Sequence, residues 1–174
     1  MALAVCLLFD APADRALRRL WDRVEERGVP TLRSHTHGLH HPHLSLVVLL
    51  EWELEKVRAA VEALPGHDPF EVHFEAVGVF PRGRVSLIPA GPADLVTRQQ
   101  AVVEAVRGTG ALVHRHYEIG RWLPHSSLAP RATLRELPAV APLAYDVFPL
   151  TARVTRAALI NSATGQSWPL ANLP

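Results

Sequence analysis

Two short stretches of the sequence carry residues that could do chemistry together. Residues 41–45 read HPHLS and residues 124–127 read PHSS, so each stretch has a His followed two positions later by a Ser. The unperturbed pKa of an imidazole is about 6.5, so at neutral pH one of two histidines can be neutral while the other is protonated. His43 and His125 are therefore predicted to form a proton-accepting and proton-donating pair, with the hydroxyls of Ser45 and Ser127 binding a phosphate.

The spacing fits a β-strand, in which alternate side chains lie on the same face. His43 and Ser45 would project to one side of their strand, and His125 and Ser127 would do the same on theirs. The intervening Ser126 would point to the opposite face, so it is not expected to act as a nucleophile. If the two strands face each other across a cleft, two imidazoles flank one substrate.

Similar elements are predicted before and after each motif. The first half should contain a strand over residues 3–9, a helix ended by Gly28, a loop over residues 29–42, the strand HLSLVVLL, a second helix and the strand FEVHFEAVGVF. The second half repeats this order with RVSLIPA as a strand, a helix in PADLVTRQQAVVEAVRG, the strand HSSLA, a short helix from TLRELPAVAPL and the strand YDVFPL. Pro-Ala-Asp opens the first helix of each half, at residues 12–14 and 92–94. The repeated order predicts an internal duplication.

These patterns predict an α+β fold. Strands outnumber helices, and RAALINSATGQSWPL near the C-terminal end contains a glycine turn typical of a hairpin, so the sheet should be mostly antiparallel. No long linker separates the halves. Residues 1–174 are therefore predicted to form one domain of two duplicated, pseudo-symmetric lobes, about 1–80 and 81–174, with helices on the outside and an active-site cleft between them.

The two motifs, HLSL and HSSL, resemble the signature motifs of the two-histidine phosphoesterase superfamily, in its 2′-5′ RNA ligase-like, cyclic phosphodiesterase branch. The stretches LFDAPADRALRRLWDRVEERG, VGVFPRGRVSLIP and GRWLPHSSLAP are also similar, so the likeness spans nearly the whole chain. A single His-x-Ser is a weak signal, whereas two in a duplicated context are specific. Both motifs have Ser where Thr is common in the family, a departure that keeps the hydroxyl.

The resemblance implies a bilobal enzyme that acts without a metal or other cofactor on 2′,3′-cyclic phosphate or 2′-5′ phosphodiester linkages of RNA ends or nucleotides. Matched by position, His43 and His125 would be the catalytic pair, and Ser45 and Ser127 the phosphate-binding residues. Three questions stay open: whether hydrolysis or 2′-5′ end joining is the main reaction, which histidine is the acid, and whether the chain is instead a catalytically idle module that binds RNA ends or nucleotides.

Further residues are candidates for contact with the substrate. The arginines lie where the lobes should meet or shortly before the second motif and could pair with a phosphate, while two aromatic residues could stack on a base. These candidates are Arg82, Arg84, Arg121, Tyr117 and Trp122. Phe80 is assigned to the core instead.

The loop before the first motif, HTHGLHHPH, is rich in histidine. Because imidazoles bind transition metals, a metal-binding protein is a further alternative function. The stretch contains no Cys or carboxylate, and solvated loop histidines are the simpler interpretation, as they are for His114 and His116. No metal site is therefore predicted.

The composition limits the partners. The 18 basic and 17 acidic residues leave a formal net charge of +1, too little for bulk capture of a nucleic-acid backbone. The single cysteine, Cys6, excludes an intrachain disulfide and is assigned to a buried strand. No segment approaches the roughly 20 apolar residues of a membrane helix, and the opening residues are interpreted as a strand instead of an export signal. We expect a cytoplasmic monomer without an obligate protein partner, acting on RNA ends or cyclic-phosphate nucleotides.

Overall fold

The chain alternates strands and helices that build one antiparallel sheet. The structure, a computed structural model, describes residues 2–174. Its strands are β1 (Leu3–Phe9), β2 (His43–Glu51), β3 (Phe70–Phe80), β4 (Arg84–Ala90), β5 (Leu112–Val113), β6 (Ser126–Ala129), β7 (Leu150–Asn161) and β8 (Ser167–Pro169). Its helices are α1 (Ala11–Glu25), α2 (Leu54–Glu62), α3 (Leu95–Gly108) and α4 (Leu137–Tyr145), and a 3-10 turn spans Arg115–Tyr117. The predicted α+β fold with a mostly antiparallel sheet is confirmed.

Helix α1 shows how local sequence fixes an element. The Asp10 side chain accepts a hydrogen bond from the Ala13 backbone N–H at 3.2 Å, and Pro12 occupies the first turn, where its missing N–H costs nothing. The chain leaves the helix at Gly28, whose φ of 81° lies in the left-handed region that glycine adopts freely. Apolar residues recur every three or four positions and are buried: Ala13, Leu17, Leu20, Trp21 and Val24.

The strand order is β5-β2-β1-β7-β3-β4-β6, with β8 paired to β7. The order is the same when the sheet is followed inward from β2 and from β6: β2-β1-β7 on one side and β6-β4-β3 on the other. In each series the first strand carries the Ser of a His-x-Ser motif (the motif strands β2 and β6), and the third is a long strand of 11 or 12 residues (β3 and β7). Each long strand pairs with a strand from the other half of the sequence: β7 pairs with β1, and β3 pairs with β4. A duplication divided near residue 80 stays a prediction, but each motif strand has an equivalent position in the sheet.

Strand β1 is buried along its whole length and separates two apolar clusters. Leu3, Val5 and Leu7 on one face belong to the main core beneath the helices. Ala4, Cys6 and Leu8 on the other face form a smaller cluster with residues of β7. The prediction that Cys6 is a buried strand residue is confirmed, because it is only 1% exposed.

Two local predictions in the second half were wrong. The stretch YDVFPL is not a strand: α4 continues to Tyr145, a turn follows, and β7 begins at Leu150. Pro149 explains why β7 begins no earlier, since proline has no N–H to donate to a neighbouring strand. The second Pro-Ala-Asp does not open a helix either, because α3 begins after it, at Leu95.

The hairpin at Gly165 is present between β7 and β8. Among the residues described, no helix is long and apolar enough to cross a membrane.

Candidate active site

The two motif strands bring their polar residues to the walls of one cavity of about 930 Å³. His43 is the first residue of β2, and His125 immediately precedes β6. Both histidines line the cavity, as do Ser45 and Ser127, and all four side chains are half-buried. The leucines next to them in β2 and β6 are buried in the core. The alternation of the strands thus places two His-Ser pairs around one space.

The two imidazoles are held by the same backbone contact. His43 Nδ1 lies 2.6 Å from the carbonyl oxygen of His41, and His125 Nδ1 lies 2.7 Å from that of Leu123. A carbonyl can only accept, so each Nδ1 must carry the proton and donate it. The proton that each ring gains or loses is therefore the one on Nε2, the atom available for acid–base chemistry.

The environments of the two rings separate their pKa values. Burial alone would lower the pKa of His43, but the charge of Cys6 and hydrogen bonds with Cys6 and the His41 carbonyl outweigh it and raise the pKa to about 9. Burial lowers the pKa of His125, and the nearby charges of His43 and Arg84 act in the same direction against the Leu123 carbonyl. His43 is then protonated at neutral pH, whereas His125 favours the neutral form.

Tyr117 and Trp122 reach the first motif from the second half of the chain. The Tyr117 ring lines the cavity, with its centroid 6.3 Å from that of His125. Burial raises the pKa of Tyr117 to about 12, although a hydrogen bond with Ser45 opposes the shift. The Trp122 indole N–H donates to the Ser45 carbonyl at 3.0 Å. The polar edge of Trp122 is therefore occupied by a contact within the protein, whereas the Tyr117 ring faces the cavity.

The candidate arginines occupy different places. Arg84 and Arg121 line the cavity beside the motifs. Arg82 lies at the tip of the hairpin between β3 and β4 and lines a neighbouring cavity of about 640 Å³. Arg82 and Gly83 both have positive φ, of 68° and 71°, in the three-residue loop that joins the paired residues Phe80 and Arg84. This tight turn sets Arg84 opposite the last residue of β3, at the edge of the cavity.

The cavity wall favours an anion. Among the described residues that form it are two arginines and six histidines but no Asp or Glu. The histidines are His35, His40, His43, His114, His116 and His125. Burial, followed by the charges of neighbouring histidines, lowers the pKa of His40 to about 4, so its ring is neutral at neutral pH. Positive charge with no competing carboxylate suits the binding of a phosphate.

Phe80, Cys6 and Ser86 line the cavity although the sequence analysis did not place them in the site. The assignment of Phe80 to the core was wrong, because its ring lines the cavity with its centroid 5.3 Å from that of His125. Cys6 and Ser86 lie on the strands next to the two motif strands and also line the cavity. The pairing of those strands is a long-range property, and a single sequence carries no signal for it.

The histidine-rich loop folds over one end of the cavity. Its rings pack on one another, with centroids 4.2 Å apart for His37 and His40. Glu25 at the end of α1 accepts hydrogen bonds from the backbone N–H and hydroxyl groups of both Thr31 and Ser34, which fixes the start of the loop. Within residues 2–174, no three His, Cys, Asp or Glu side chains are grouped so that they could hold one metal ion.

Comparisons with known proteins agree with this architecture. The sequence profile of the 2′-5′ RNA ligase superfamily matches residues 10–166. TT0787 of Thermus thermophilus is similar over 100% of both chains, with 19% identity and a TM-score of 0.62. E. coli LigT complexed with 3′-AMP has 15% identity and a TM-score of 0.62, with 98% of this chain and 97% of that chain covered. Kluyveromyces marxianus Usb1 with uridine monophosphate has 13% identity and a TM-score of 0.54, with 99% and 97% covered. No curated protein sequence matches the chain.

Proposed function

The chain belongs to the 2′-5′ RNA ligase superfamily of two-histidine phosphoesterases, and on that premise we propose that it opens 2′,3′-cyclic phosphates or cleaves 2′-5′ phosphodiester linkages at RNA ends or in nucleotides. The observation that carries the proposal is the shared hydrogen-bond pattern of His43 and His125. Each ring donates from Nδ1 to a carbonyl two residues before it, which leaves two Nε2 atoms for one cavity. Two imidazoles in one site can perform both proton transfers of a phosphoester reaction without a metal.

The separated pKa values support a division of roles. His125, whose pKa is lowered, accepts the proton of a water molecule as the water oxygen forms its bond to phosphorus. His43, whose pKa is raised to about 9, donates its Nε2 proton to the ribose oxygen as the bond from phosphorus to that oxygen breaks. The products are a ribose hydroxyl and a phosphate monoester, with His43 neutral and His125 protonated. Proton exchange with solvent restores the starting state.

The other groups of the wall would hold the phosphate. The hydroxyls of Ser45 and Ser127 line the same cavity as the two histidines and can donate to the non-bridging oxygens. Arg84 and Arg121 add positive charge. Tyr117 offers a flat ring for a base. A nucleotide fits these groups, and the complexes of LigT with 3′-AMP and of Usb1 with uridine monophosphate support this substrate class.

The proposal is tested with a panel of substrates assayed in EDTA. We expect turnover of 2′,3′-cyclic nucleotides, of oligoribonucleotides that end in a 2′,3′-cyclic phosphate, or of 2′-5′ dinucleotides. The matched controls are the same oligonucleotides with a linear 3′-phosphate and the corresponding 3′-5′ dinucleotides, which should stay intact. Products are separated by chromatography so that 2′-5′ joined RNA, the product of the reverse reaction, is detected in the same samples.

Two outcomes would contradict the proposal. One is binding of cyclic-phosphate ends without turnover of any cyclic or 2′-5′ substrate, the behaviour of an idle binding module. The other is activity that EDTA abolishes and a divalent metal restores, because the two imidazoles would then be insufficient for the chemistry.

A further inference from the structure

A second cavity, of about 640 Å³, adjoins the candidate active site. Phe80 and Pro81 line both cavities, so the two spaces share one wall. The Phe80 ring lies next to His125, with the ring centroids 5.3 Å apart. The second cavity therefore begins within one side chain of a motif histidine. Binding sites for small ligands span about 300 to 1,000 Å³, so the second cavity is large enough for one nucleotide.

The pairing of β4 with β6 positions the two walls of this second cavity. The strands are antiparallel, so the start of β4 lies beside the end of β6. The loop before β4 carries Arg82, and the segment after β6 carries Arg131. A Cβ atom at Gly83 would collide with the Ala132 carbonyl oxygen, so the two backbones are in direct contact. The cavity is therefore already shaped in the folded chain, which lowers the cost of binding a ligand there.

The lining of the second cavity combines positive charge with exposed apolar side chains. Arg82 and Arg131 supply two guanidinium groups, and no Asp or Glu is among the described residues that line the cavity. Glu136, in the segment after β6, already accepts a hydrogen bond from a backbone N–H of that segment. Leu134 is 82% exposed and Val79 55% exposed, although both side chains are large and apolar. Such a wall suits a ligand that presents a flat ring and a negative charge.

A nucleotide that continues from the first cavity is a ligand of this kind. We propose that the second cavity is a subsite for the penultimate nucleotide of an RNA 3′ end, whose terminal cyclic phosphate lies between His43 and His125. The phosphate that joins the last two nucleotides lies beside Arg82 and Arg131, and the penultimate base lies against the apolar wall. The inference rests on the proposed function and narrows its substrate class to oligonucleotides.

Charge complementarity favours an RNA chain as the occupant. The formal net charge of the protein is only +1, so the affinity for an RNA chain must come from local contacts with its phosphates. Arg131 also acts on the first cavity: burial lowers the pKa of His35, which lines that cavity, and the charge of Arg131 acts in the same direction. One continuous positive surface thus follows the path from the terminal phosphate to the phosphate before it.

The test compares substrates that differ only in length. The kcat/KM of adenosine 2′,3′-cyclic phosphate is measured in EDTA beside those of a dinucleotide and a trinucleotide that end in the same cyclic phosphate. The added phosphate and base contacts should favour the dinucleotide by about 10-fold or more, mainly through KM. The trinucleotide should gain little beyond the dinucleotide, because the second cavity holds one nucleotide. Raising the salt concentration should shrink the advantage, because each phosphate contact releases counterions.

Two variants locate the second nucleotide. Arg131 and Leu134 are both exposed, so Arg131→Gln and Leu134→Ala should leave the fold intact. The readout is the ratio of kcat/KM for the dinucleotide to kcat/KM for the mononucleotide. Arg131→Gln should lower this ratio by about fivefold or more, because a charged contact to the phosphate is lost, and Leu134→Ala should lower it less. Arg135→Gln, in the same segment but lining neither cavity, is the matched control and should keep the wild-type ratio.

Equal kcat/KM for the mononucleotide and the dinucleotide would overturn the inference and leave the proposed function standing. A dinucleotide advantage that survives in both Arg131→Gln and Leu134→Ala would also overturn it, because the second nucleotide would then lie elsewhere. If no cyclic phosphate is turned over, the proposed function fails, and the subsite is judged by equilibrium binding of 3′-AMP and of a diadenylate with a 3′-phosphate. About tenfold tighter binding of the diadenylate, lost in Arg131→Gln, would support the subsite, and equal binding would overturn it.

Discussion

The imidazole of each motif is oriented by the backbone of its own motif. The carbonyls of His41 and Leu123 accept from the Nδ1 atoms of His43 and His125, so the chain segment that supplies each ring also decides which nitrogen is free. A proline precedes each motif histidine, at Pro42 and Pro124. Proline fixes φ and favours an extended conformation in the residue before it, which suits a turn-free entry into the strand.

The hydroxyls of the two motif serines are predicted to take part in catalysis. Ser45→Ala and Ser127→Ala should each lower kcat by about 100-fold, the typical loss of one donor to a transition-state oxygen. Ser45→Thr and Ser127→Thr keep the hydroxyl and should retain most of the activity. Steady-state kinetics on a 2′,3′-cyclic nucleotide measures both effects.

Ser126→Ala is the matched control for these variants. Ser126 is buried on the face of β6 that it shares with Leu128 in the core. Its loss should leave kcat within about twofold of the wild type, because it is remote from the transition-state oxygens. Loss of activity in Ser126→Ala equal to that in Ser127→Ala would contradict the assigned strand faces.

The types and spacing of the site residues could be predicted from the sequence, but their neighbours could not. Side chains two residues apart on a strand lie on the same face, so the local sequence alone placed His43 and Ser45 on one face. The position of Phe80 depended on which face of β3 turned toward the cavity, and that is set by its pairing with β4 at the hairpin of Arg82 and Gly83. An apolar residue at a strand end fits either a core or a cavity wall.

At the element scale, α3 connects the two parts of the site. The buried Gln99 side chain donates to the Leu46 carbonyl in β2 at 3.1 Å and to the Tyr117 carbonyl at 2.9 Å. One amide thereby holds the motif strand and the 3-10 turn at a fixed distance. Burying the Gln99 amide in an apolar helix face costs free energy unless both hydrogen bonds are made. Gln99 therefore favours the one packing of α3 in which both carbonyls are within reach.

Gln99→Leu is expected to lower the free energy of unfolding by about 2 to 4 kcal/mol, since the buried carbonyl of Leu46 and the partly buried carbonyl of Tyr117 both lose their donor. It should also lower kcat/KM for a cyclic nucleotide because the Tyr117 turn is no longer tied to β2. Gln100→Leu, at the next position of α3, is the control and should change stability by less than about 0.5 kcal/mol. Urea unfolding measures both variants, and equal stability of Gln99→Leu and wild type would contradict the bridging role.

The elements themselves were largely predictable because their signals are local. The alternation over Phe70–Phe80 and the capped, amphipathic pattern of α1 gave the correct element types. The stretch YDVFPL was misassigned because it contains the last residue of α4, a turn and the first residue of β7, with Pro149 directly before that strand. The average composition of the six residues does not reveal this boundary. The pairing of β7 with both β1 and β3 joins residues far apart in sequence, which no local pattern encodes.

In the whole molecule, the two sequence halves form one cavity because a long strand of each half pairs with a strand of the other half. β3 and β7 pair with each other at the centre of the sheet, and each also pairs with the first strand of the other half. The motif strands β2 and β6 then lie outward of β1 and β4 at equivalent places. We propose that this arrangement arose by duplication. It makes neither half a complete unit, because the long strand of each half completes the other.

The two halves are proposed to contribute one histidine each to a single catalytic unit. The most direct measurement compares kcat for a 2′,3′-cyclic nucleotide, in EDTA, among His43→Ala, His125→Ala and the double variant, with the exposed His73→Ala in β3 as the control. Each single variant should lose about 1,000-fold, the double variant should be no worse than the worse single variant, and His73→Ala should match the wild type. Wild-type activity in either single motif variant, or losses that multiply in the double variant, would contradict a shared catalytic role of His43 and His125.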